Sequence, residues 1–155
     1  MAILQNTDLS ILVVDDQESV RLLLAQELLR MGVREVVQAA SAVDALEMFA
    51  AHKPDIVLLD IQMPGHSGHW IAEQIRNIDG GHWTPIIFLT GLDSDEDLWE
   101  GIRVGGDDYL IKPVRGTVLA AKLRAMQRLL NMQRRLVAVS EELYEANRRL
   151  NSLIE

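Results

Sequence analysis

The sequence predicts an α/β domain built on a doubly wound, five-stranded parallel sheet. Short apolar runs recur along the chain, and between them the apolar residues follow helical spacing. Glycine and proline stand at many of the boundaries between these segments, where they favour turns. Strand and helix patterns alternate five times, which indicates βαβ units with helices on both faces of the sheet.

The first half of the chain contains three predicted strands. Residues 11–14 form the first, and the following helix is expected to begin at Ser19 and to end at Gly32. Residues 36–40 form a weaker strand, and the next helix covers residues 41–51. Residues 56–59 form a strand that runs directly into Asp60. The apolar positions expected to face the core are Val20, Leu23, Leu24, Leu28 and Leu29 in the first helix, and Val43, Leu46, Phe49 and Ala50 in the second.

The second half of the chain continues the alternation. Gly80 and Gly81 break one predicted helix, and Asp93 and Ser94 are expected to cap the next. Helices and strands are predicted, in order, over residues 68–78, 85–89, 95–104 and 109–111, with a last helix from about Thr117.

The composition limits the classes of function. With 155 residues, 48% of them hydrophobic, the chain is long enough for one domain with its own core. The net charge of −8 argues against nucleic acid as a partner of the main body. Residues 1–116 hold 8 Lys/Arg and 19 Asp/Glu, whereas residues 117–155 hold 7 and 4. The absence of cysteine excludes disulfides, thiolate metal sites and cysteine nucleophiles.

No segment of the sequence has the character of a secretion signal or a membrane span. Residues 1–8 form a predicted N-terminal tail without the basic and apolar regions of a signal peptide. No apolar run approaches the length needed to cross a bilayer. We therefore expect a cytoplasmic protein that does not associate with membranes.

Five polar residues stand at the ends of four predicted strands. The carboxyl ends of parallel strands lie on one edge of the sheet, which is where open α/β sheets bind ligands. Singly, these residues are ordinary turn, cap or surface residues. Their recurrence at one edge is better explained by a shared site. They are Asp15, Asp16, Asp60, Thr90 and Lys112.

The residue types of this predicted site suit phosphoryl transfer. Three carboxylates repel one another unless a cation is present, and Mg²⁺ prefers oxygen ligands of this kind. A carboxylate held beside Mg²⁺ can act as a nucleophile and form an aspartyl phosphate. The Lys112 ammonium and the Thr90 hydroxyl would neutralise charge on the transferred group. The sequence therefore predicts phosphoryl transfer to Asp60.

The motifs at these strand ends resemble the receiver domains of two-component response regulators. The matching stretches are DD at residues 15–16, LLDIQMPGHSG at 58–68, TG at 90–91 and GGDDYLIKP at 105–113. The resemblance covers about residues 9–125 and implies the flavodoxin-like strand order 2-1-3-4-5. One departure is Gly91, because alanine usually follows the switch threonine in this family.

The resemblance implies a role for each residue of the site. Asp60 is the phosphoacceptor, and Lys112 contacts the phosphoryl oxygens. Asp16 and Asp60 ligate Mg²⁺ directly, while Asp15 ligates it through water. Gln62 ligates it through its backbone carbonyl.

The resemblance also implies a switch and a partner. Thr90 hydrogen-bonds the phosphoryl group and moves on activation, and Tyr109 turns inward with it. The Lys112–Pro113 peptide is typically cis in this family. The implied function is a signalling module that takes its phosphoryl group from a histidine kinase or a phosphotransfer protein. It catalyses only its own phosphorylation and dephosphorylation.

Three alternatives stand beside this function. A phosphatase of the haloacid dehalogenase type needs a second aspartate two residues after the nucleophile, where this chain has Gln62. A flavodoxin-like cofactor binder needs a glycine-rich phosphate loop after the first strand, where Asp15 and Asp16 would repel a phosphate. A scaffold that works without phosphorylation would not need a complete acidic site.

Residues 126–155 are predicted to form a coiled-coil helix or linker. Residues 117–155 contain no proline or glycine, and eight apolar residues repeat at alternating spacings of three and four. This heptad predicts a homodimer, with a parallel two-stranded coiled coil as the favoured arrangement. In the resembled family such helices lead to an output domain, for example a diguanylate cyclase or a phosphatase. The heptad residues are Leu129, Met132, Leu136, Val139, Leu143, Ala146, Leu150 and Leu153.

Four ring-bearing residues outside the site carry weaker predictions. His66 and His69 are three residues apart but lack a third ligand, so exposed loop positions are expected rather than a metal site. Trp70 and Trp99 lie on predicted helices and are expected to be partly buried, with a partner contact at Trp99 as the alternative.

Overall fold

The computed structural model describes residues 8–91 and 95–154. Asp93 and Ser94, the expected cap of the fourth helix, lie outside the described residues, as do residues 1–7 of the predicted tail. By its contacts the chain divides into two compact units, residues 1–121 and residues 122–155. The predicted boundary between residues 125 and 126 stays a prediction.

The first unit contains a five-stranded sheet in which all neighbouring strands are parallel. The strand order β2-β1-β3-β4-β5 confirms the predicted topology. The apolar runs of β1, β3 and β4 are buried on both faces, as expected for central strands of a parallel sheet. The strands are β1 (Ser10–Val14), β2 (Glu35–Ala39), β3 (Ile56–Asp60), β4 (Ile86–Thr90) and β5 (Asp108–Ile111).

Five helices alternate with these strands. α1 (Glu18–Met31) ends at Gly32, whose φ of 103° is the left-handed conformation that glycine adopts easily. Ser41 caps α2 by accepting a hydrogen bond from the backbone of Asp44. The remaining helices are α2 (Ala42–His52), α3 (Gly68–Ile78), α4 (Asp95–Arg103) and α5 (Gly116–Ile154).

The predicted start and buried face of α1 are partly wrong. Gln17 is the N-cap residue and makes no side-chain cap, so Ser19 lies inside the helix. Leu23 and Leu29 are exposed, because apolar residues surround this helix and spacing alone does not select the inward face. The buried residues of α1 are Leu24, Ala25, Leu28 and Met31.

The prediction for α2 was also partly wrong. Val43 and Ala50 are exposed, whereas Phe49 is buried as expected. Ala42 and Ala45 face inward instead, and their small side chains let the helix backbone approach the core closely.

The second unit is the continuation of α5. From residue 131 to residue 154 every side chain is exposed except Gln133, which is partly buried. The heptad leucines are among the exposed side chains, with Leu136 71% and Leu143 65% accessible. In the described part of the chain, no helix is both long enough and apolar enough to cross a membrane.

Candidate functional site

Two buried aspartates stand at the carboxyl-terminal edge of the sheet. Asp15 directly follows β1, and Asp60 is the last residue of β3. Asp15 is fully buried and Asp60 is 4% exposed. The backbone N–H of Gln17 donates to Asp15 Oδ1 at 2.9 Å, and that of Gln62 donates to Asp60 Oδ1 at 3.2 Å. These bonds fix both carboxylates and leave their Oδ2 atoms for other partners.

A single ammonium group lies between the two carboxylates. Lys112 Nζ is 2.9 Å from Asp15 Oδ2 and 3.2 Å from Asp60 Oδ2. Lys112 follows β5, and its backbone N–H donates to the Thr90 carbonyl at 2.7 Å. The Lys112–Pro113 peptide bond is cis. The ends of three strands thus bring these charges together.

The pKa shifts at this edge reflect burial together with an excess of negative charge. Burial raises the pKa of Asp60, and the neighbouring charge of Asp15 raises it further, while Lys112 opposes both effects. Burial acts to lower the pKa of Lys112, but its hydrogen bond to Asp15 and the charges of both aspartates raise it overall. One cation is therefore shared by two buried anions.

The carboxylates fit a hard divalent cation such as Mg²⁺. Asp15, Asp16 and Asp60 each offer an oxygen, and these oxygens lie within 4.8 Å of one another. Asp16 is exposed, so the cluster is open to solvent on that side. Among the described residues, buried Asp15 Oδ2 has the Lys112 ammonium as its partner and no further hydrogen bond. An all-oxygen set of few carboxylates is the donor type that Mg²⁺ prefers.

The loop after Asp60 closes tightly on the end of β3. The backbone N–H of Gly68 donates to the Ile61 carbonyl at 2.8 Å. A Cβ atom at Gly68 would lie 2.2 Å from the Asp60 carbonyl oxygen, so only glycine fits there. Ser67 accepts a hydrogen bond from the Trp70 backbone and starts α3. The loop therefore fixes the backbone that carries Asp60.

The two predicted switch residues occupy neighbouring strands. Thr90 ends β4 and is 5% exposed, while Tyr109 lies in β5 and packs partly buried against the core. Phe88 of β4 pairs with Tyr109 of β5, so their side chains lie on the same face of the sheet. Thr90 is two residues beyond Phe88 in the same strand and therefore lies on that face as well. A Cβ atom at Gly91 would meet nothing within 4 Å, so alanine would also fit at this position.

A charged network at the opposite, amino-terminal edge of the sheet was not predicted from the sequence. Arg76 donates to the Thr84 carbonyl at 2.6 Å, to the Gly105 carbonyl at 3.0 Å and to Asp107 Oδ2 at 2.8 Å. Asp107 also accepts from the Ile86 backbone at 2.8 Å and from Trp83 Nε1 at 3.1 Å. Its members are up to 31 residues apart, so no local sequence pattern identifies the network.

Two predictions about ring-bearing residues were wrong. His69 lies within α3, where its ring packs edge-on against Phe88 at 5.4 Å and its Nε2 atom is buried. Trp99 is 72% exposed rather than partly buried. His66 is exposed as expected and stacks on Trp70 at 3.8 Å.

Comparison with known proteins supports one family. The response regulator receiver domain family matches residues 11–124. Transcriptional regulatory protein AfsQ1 of Streptomyces coelicolor is 40% identical over 119 residues, which cover 77% of this chain and 51% of that protein. Transcriptional regulatory protein YvrH of Bacillus subtilis is 40% identical over 116 residues, covering 75% and 48%. The chain spans about half the length of these curated relatives.

The fold is also similar to solved structures. Chemotaxis protein CheY4 of Vibrio cholerae matches with a TM-score of 0.73 at 30% identity. The match covers 77% of this chain and 98% of CheY4. The structural match and the sequence match to AfsQ1 each cover 77% of the chain.

Proposed function

This chain belongs to the response regulator receiver domain family, and from that premise we propose that Asp60 accepts the phosphoryl group that controls it. The observation that carries the proposal is a buried carboxylate with an incompletely neutralised charge. Asp60 is 4% exposed, its pKa is raised by burial and by Asp15, and it shares the Lys112 ammonium with Asp15. Such a group can act as a nucleophile toward phosphorus when the developing charge is neutralised.

The phosphoryl donor is a phosphohistidine of a histidine kinase or of a phosphotransfer protein. A carboxylate oxygen of Asp60 forms the new P–O bond while the P–N bond to the donor histidine breaks, and the leaving imidazole takes up a proton. The Lys112 ammonium pairs with a phosphoryl oxygen and neutralises part of the negative charge on the transferred group. Hydrolysis of the aspartyl phosphate ends the cycle, and the domain acts on no other substrate.

Mg²⁺ is the expected cofactor of this transfer. Asp16 and Asp60 would hold it directly, Asp15 through water and Gln62 through its backbone carbonyl. When bound, it supplies positive charge that neutralises phosphoryl oxygens. Asp15 and Asp60 are already held by the backbone N–H groups of Gln17 and Gln62, so the ligand set needs little rearrangement.

Intact-mass measurement with acetyl phosphate and Mg²⁺ tests the site. Wild-type protein should gain one phosphoryl group, and Asp60→Asn should gain none. Asp44→Asn, which changes an exposed aspartate of α2, is the control and should be labelled like the wild type. Equal labelling of Asp60→Asn and wild type would disprove the assignment.

Thr90 and Tyr109 are proposed to couple the phosphoryl group to a change of conformation. A ligand shifts an equilibrium only if it binds the two states differently. The Thr90 hydroxyl contacts the phosphoryl group in one state alone, and its movement leaves space for the Tyr109 ring. Both residues face the same side of β4 and β5, which supports the coupling.

Variants of the switch threonine separate phosphorylation from response. Thr90→Ala should be phosphorylated yet show smaller changes in the NMR signals of the Tyr109 ring, and Thr90→Ser should restore them. A full Tyr109 response in Thr90→Ala would refute the coupling.

We also propose that α5 joins two copies of the chain and relays the signal to an output domain. Leu136, Leu143 and Leu150 are exposed along one seam, and water disfavours such a seam. A parallel pair would carry both receivers at one end of the stalk. No ion pair between g and e positions is available to set the relative orientation of the two helices. The parallel orientation is therefore proposed only because it places both receivers at the same end of the stalk.

Light scattering tests the dimer. The wild type should be dimeric or larger at tens of micromolar protein, an ordinary range for such associations. The double variant Leu136→Lys with Leu143→Lys should be monomeric. A monomeric wild type would refute self-association. If the double variant associates as the wild type does, the interface does not include this seam.

A further inference from the structure

Arg21 is a charged residue that the proposed function leaves without a role, although it contacts the backbone of the acidic cluster. It is the fourth residue of α1 and is partly buried. Its Nη1 atom donates a hydrogen bond of 2.8 Å to the backbone carbonyl of Asp15. Side chains on a helix point back toward its N-terminus, which explains how Arg21 reaches a residue that precedes the helix.

The location of this arginine is unfavourable on electrostatic grounds. The N-terminus of a helix carries a partial positive charge, so a cation in the first turn gains nothing from the helix dipole. A guanidinium beside a site for a cation also opposes the binding of that cation. In the part of the chain that the structure describes, the side chain of Arg21 forms no salt bridge and is bonded only to the Asp15 carbonyl. This hydrogen bond is therefore the contact that can explain the residue.

The carbonyl that Arg21 holds belongs to the peptide group directly before Asp16. A peptide group is planar, so fixing the Asp15 carbonyl also fixes the N–H of Asp16. The peptide group directly after Asp16 is held as well, because the N–H of Gln17 donates to Asp15 Oδ1 at 2.9 Å. Hydrogen bonds thus fix both peptide planes that flank the Cα atom of Asp16.

Asp16 depends on these two peptide groups because its side chain has no other support. The residue is exposed, and among the described residues its carboxylate makes no hydrogen bond or salt bridge. Asp15 and Asp60, by contrast, are buried and are bonded to backbone N–H groups and to Lys112. The direction of the Asp16 carboxylate is therefore set mainly by its own backbone.

We propose that Arg21 is a positioning residue for the Mg²⁺ site. Its hydrogen bond fixes the peptide group before Asp16 and so holds that carboxylate where it joins the cluster, within 4.8 Å of the oxygens of Asp15 and Asp60. The inference rests on the proposed Mg²⁺ site and adds a residue to it. Groups that orient a metal ligand without touching the metal typically change the affinity by about 10- to 100-fold.

Titration with Mg²⁺, followed through the amide NMR signals of the acidic edge, tests this inference by the sign of the effect. Arg21→Met removes a positive charge near the site, so electrostatics alone would tighten Mg²⁺ binding. Loss of positioning should instead weaken it by about tenfold, the low end of the range for such groups. Arg21→Lys keeps the charge and a hydrogen-bond donor, so it should recover part of the affinity.

Arg30→Met is the matched control for the lost charge. Arg30 lies in the last turn of α1 and pairs with Glu27 at the surface, so its removal should leave Mg²⁺ binding as in the wild type. Circular dichroism checks that each variant keeps its helix content.

A second measurement, made without metal, asks whether the effect is local to Asp16. Nitrogen-15 relaxation reports the order parameter of each backbone N–H, which is about 0.85 in rigid backbone and below about 0.6 in flexible backbone. In Arg21→Met the order parameter of the Asp16 amide should fall, while that of the Gln62 amide, which donates to Asp60, should stay as in the wild type.

The outcomes separate this inference from the function on which it rests. Unchanged or tighter Mg²⁺ binding by Arg21→Met would overturn the role of Arg21 and leave the metal site in place. An Asp16 amide that stays rigid in this variant would also overturn it. A wild type that binds no Mg²⁺ would refute the metal site itself and the inference with it.

Discussion

Two clusters of charged side chains lie at opposite edges of the sheet, and they differ in how completely their charges are paired. At the carboxyl-terminal edge, buried Asp15 and Asp60 share one ammonium, that of Lys112. At the amino-terminal edge, three donors converge on Asp107: the Arg76 guanidinium, which also lies 3.7 Å from Asp79 Oδ2, the Trp83 indole N–H and a backbone N–H. The first cluster keeps a capacity to bind positive charge, whereas the second is closed by its own partners.

The difference distinguishes a binding site from a structural support. Arg76 joins α3 to the residues that precede β4 and β5, because it donates to the carbonyls of Thr84 and Gly105. All of these bonds join groups of the chain itself. A cluster of this kind stabilises the fold, while repulsion within the acidic cluster is relieved further when a cation such as Mg²⁺ binds.

The largest expected effect comes from breaking the paired cluster. Arg76→Met should lower the free energy of unfolding by about 2 to 3 kcal/mol, because hydrogen bonds to charged groups are lost and Asp107 loses its cation. Urea unfolding monitored by circular dichroism measures this change. Arg103→Met removes an exposed ion pair with Glu100 and should barely move the midpoint. Equal effects of the two substitutions would show that the Arg76 network is not a support.

A smaller effect should follow from neutralising the acidic cluster with metal. At a Mg²⁺ concentration tenfold above its Kd, the folded state gains about 1.4 kcal/mol, which raises Tm by about 3 to 6 °C. Asp16→Ala should remove most of this gain, whereas Glu47→Ala, an exposed change on α2, should keep it. Thermal unfolding with and without Mg²⁺ measures the shift. The same gain in Asp16→Ala and wild type would exclude Asp16 as a ligand.

The smallest effect concerns the charge of Asp60 itself. Its raised pKa means that the folded state holds a proton there more tightly than the unfolded chain does. Ionisation of Asp60 therefore costs stability above the folded pKa, and the cost vanishes as the pH falls below the ordinary value of 3.8. Asp60→Asn should thus raise the urea midpoint at pH 7, and the gain should shrink toward pH 4. A gain that grows with falling pH would contradict this account of the site.

The contrast between the two edges of the sheet also explains how much of the structure could be predicted from the sequence. Asp15, Asp16, Asp60 and Lys112 each follow or end an apolar strand, so parallel topology alone predicts that they meet. Glycines that end helices, such as Gly32, are equally local signals. The acidic edge was therefore predictable from the residues themselves, whereas the strand order was predicted from the resemblance to receiver domains.

Other features depend on contacts that are distant in the chain. Arg76 and Asp107 are 31 residues apart, and no sequence pattern around either residue predicts that they form a pair. The rotation of α1 that exposes Leu23 is set by packing against the sheet, because apolar residues occur on more than one side of this helix. The need for glycine at position 68 appears only once the Asp60 carbonyl is seen to lie against it.

The most direct test of the contrast between the two edges is an NMR titration with Mg²⁺ and beryllofluoride, a phosphoryl analogue. Amide signals at Asp15, Asp60, Thr90 and Lys112 should shift strongly, while the Arg76 side-chain signal and the Asp107 amide should stay nearly unchanged. Asp60→Asn should abolish the shifts. Shifts concentrated at Asp107, or shifts that persist in Asp60→Asn, would contradict the assignment of the acidic edge as the site that binds the phosphoryl group.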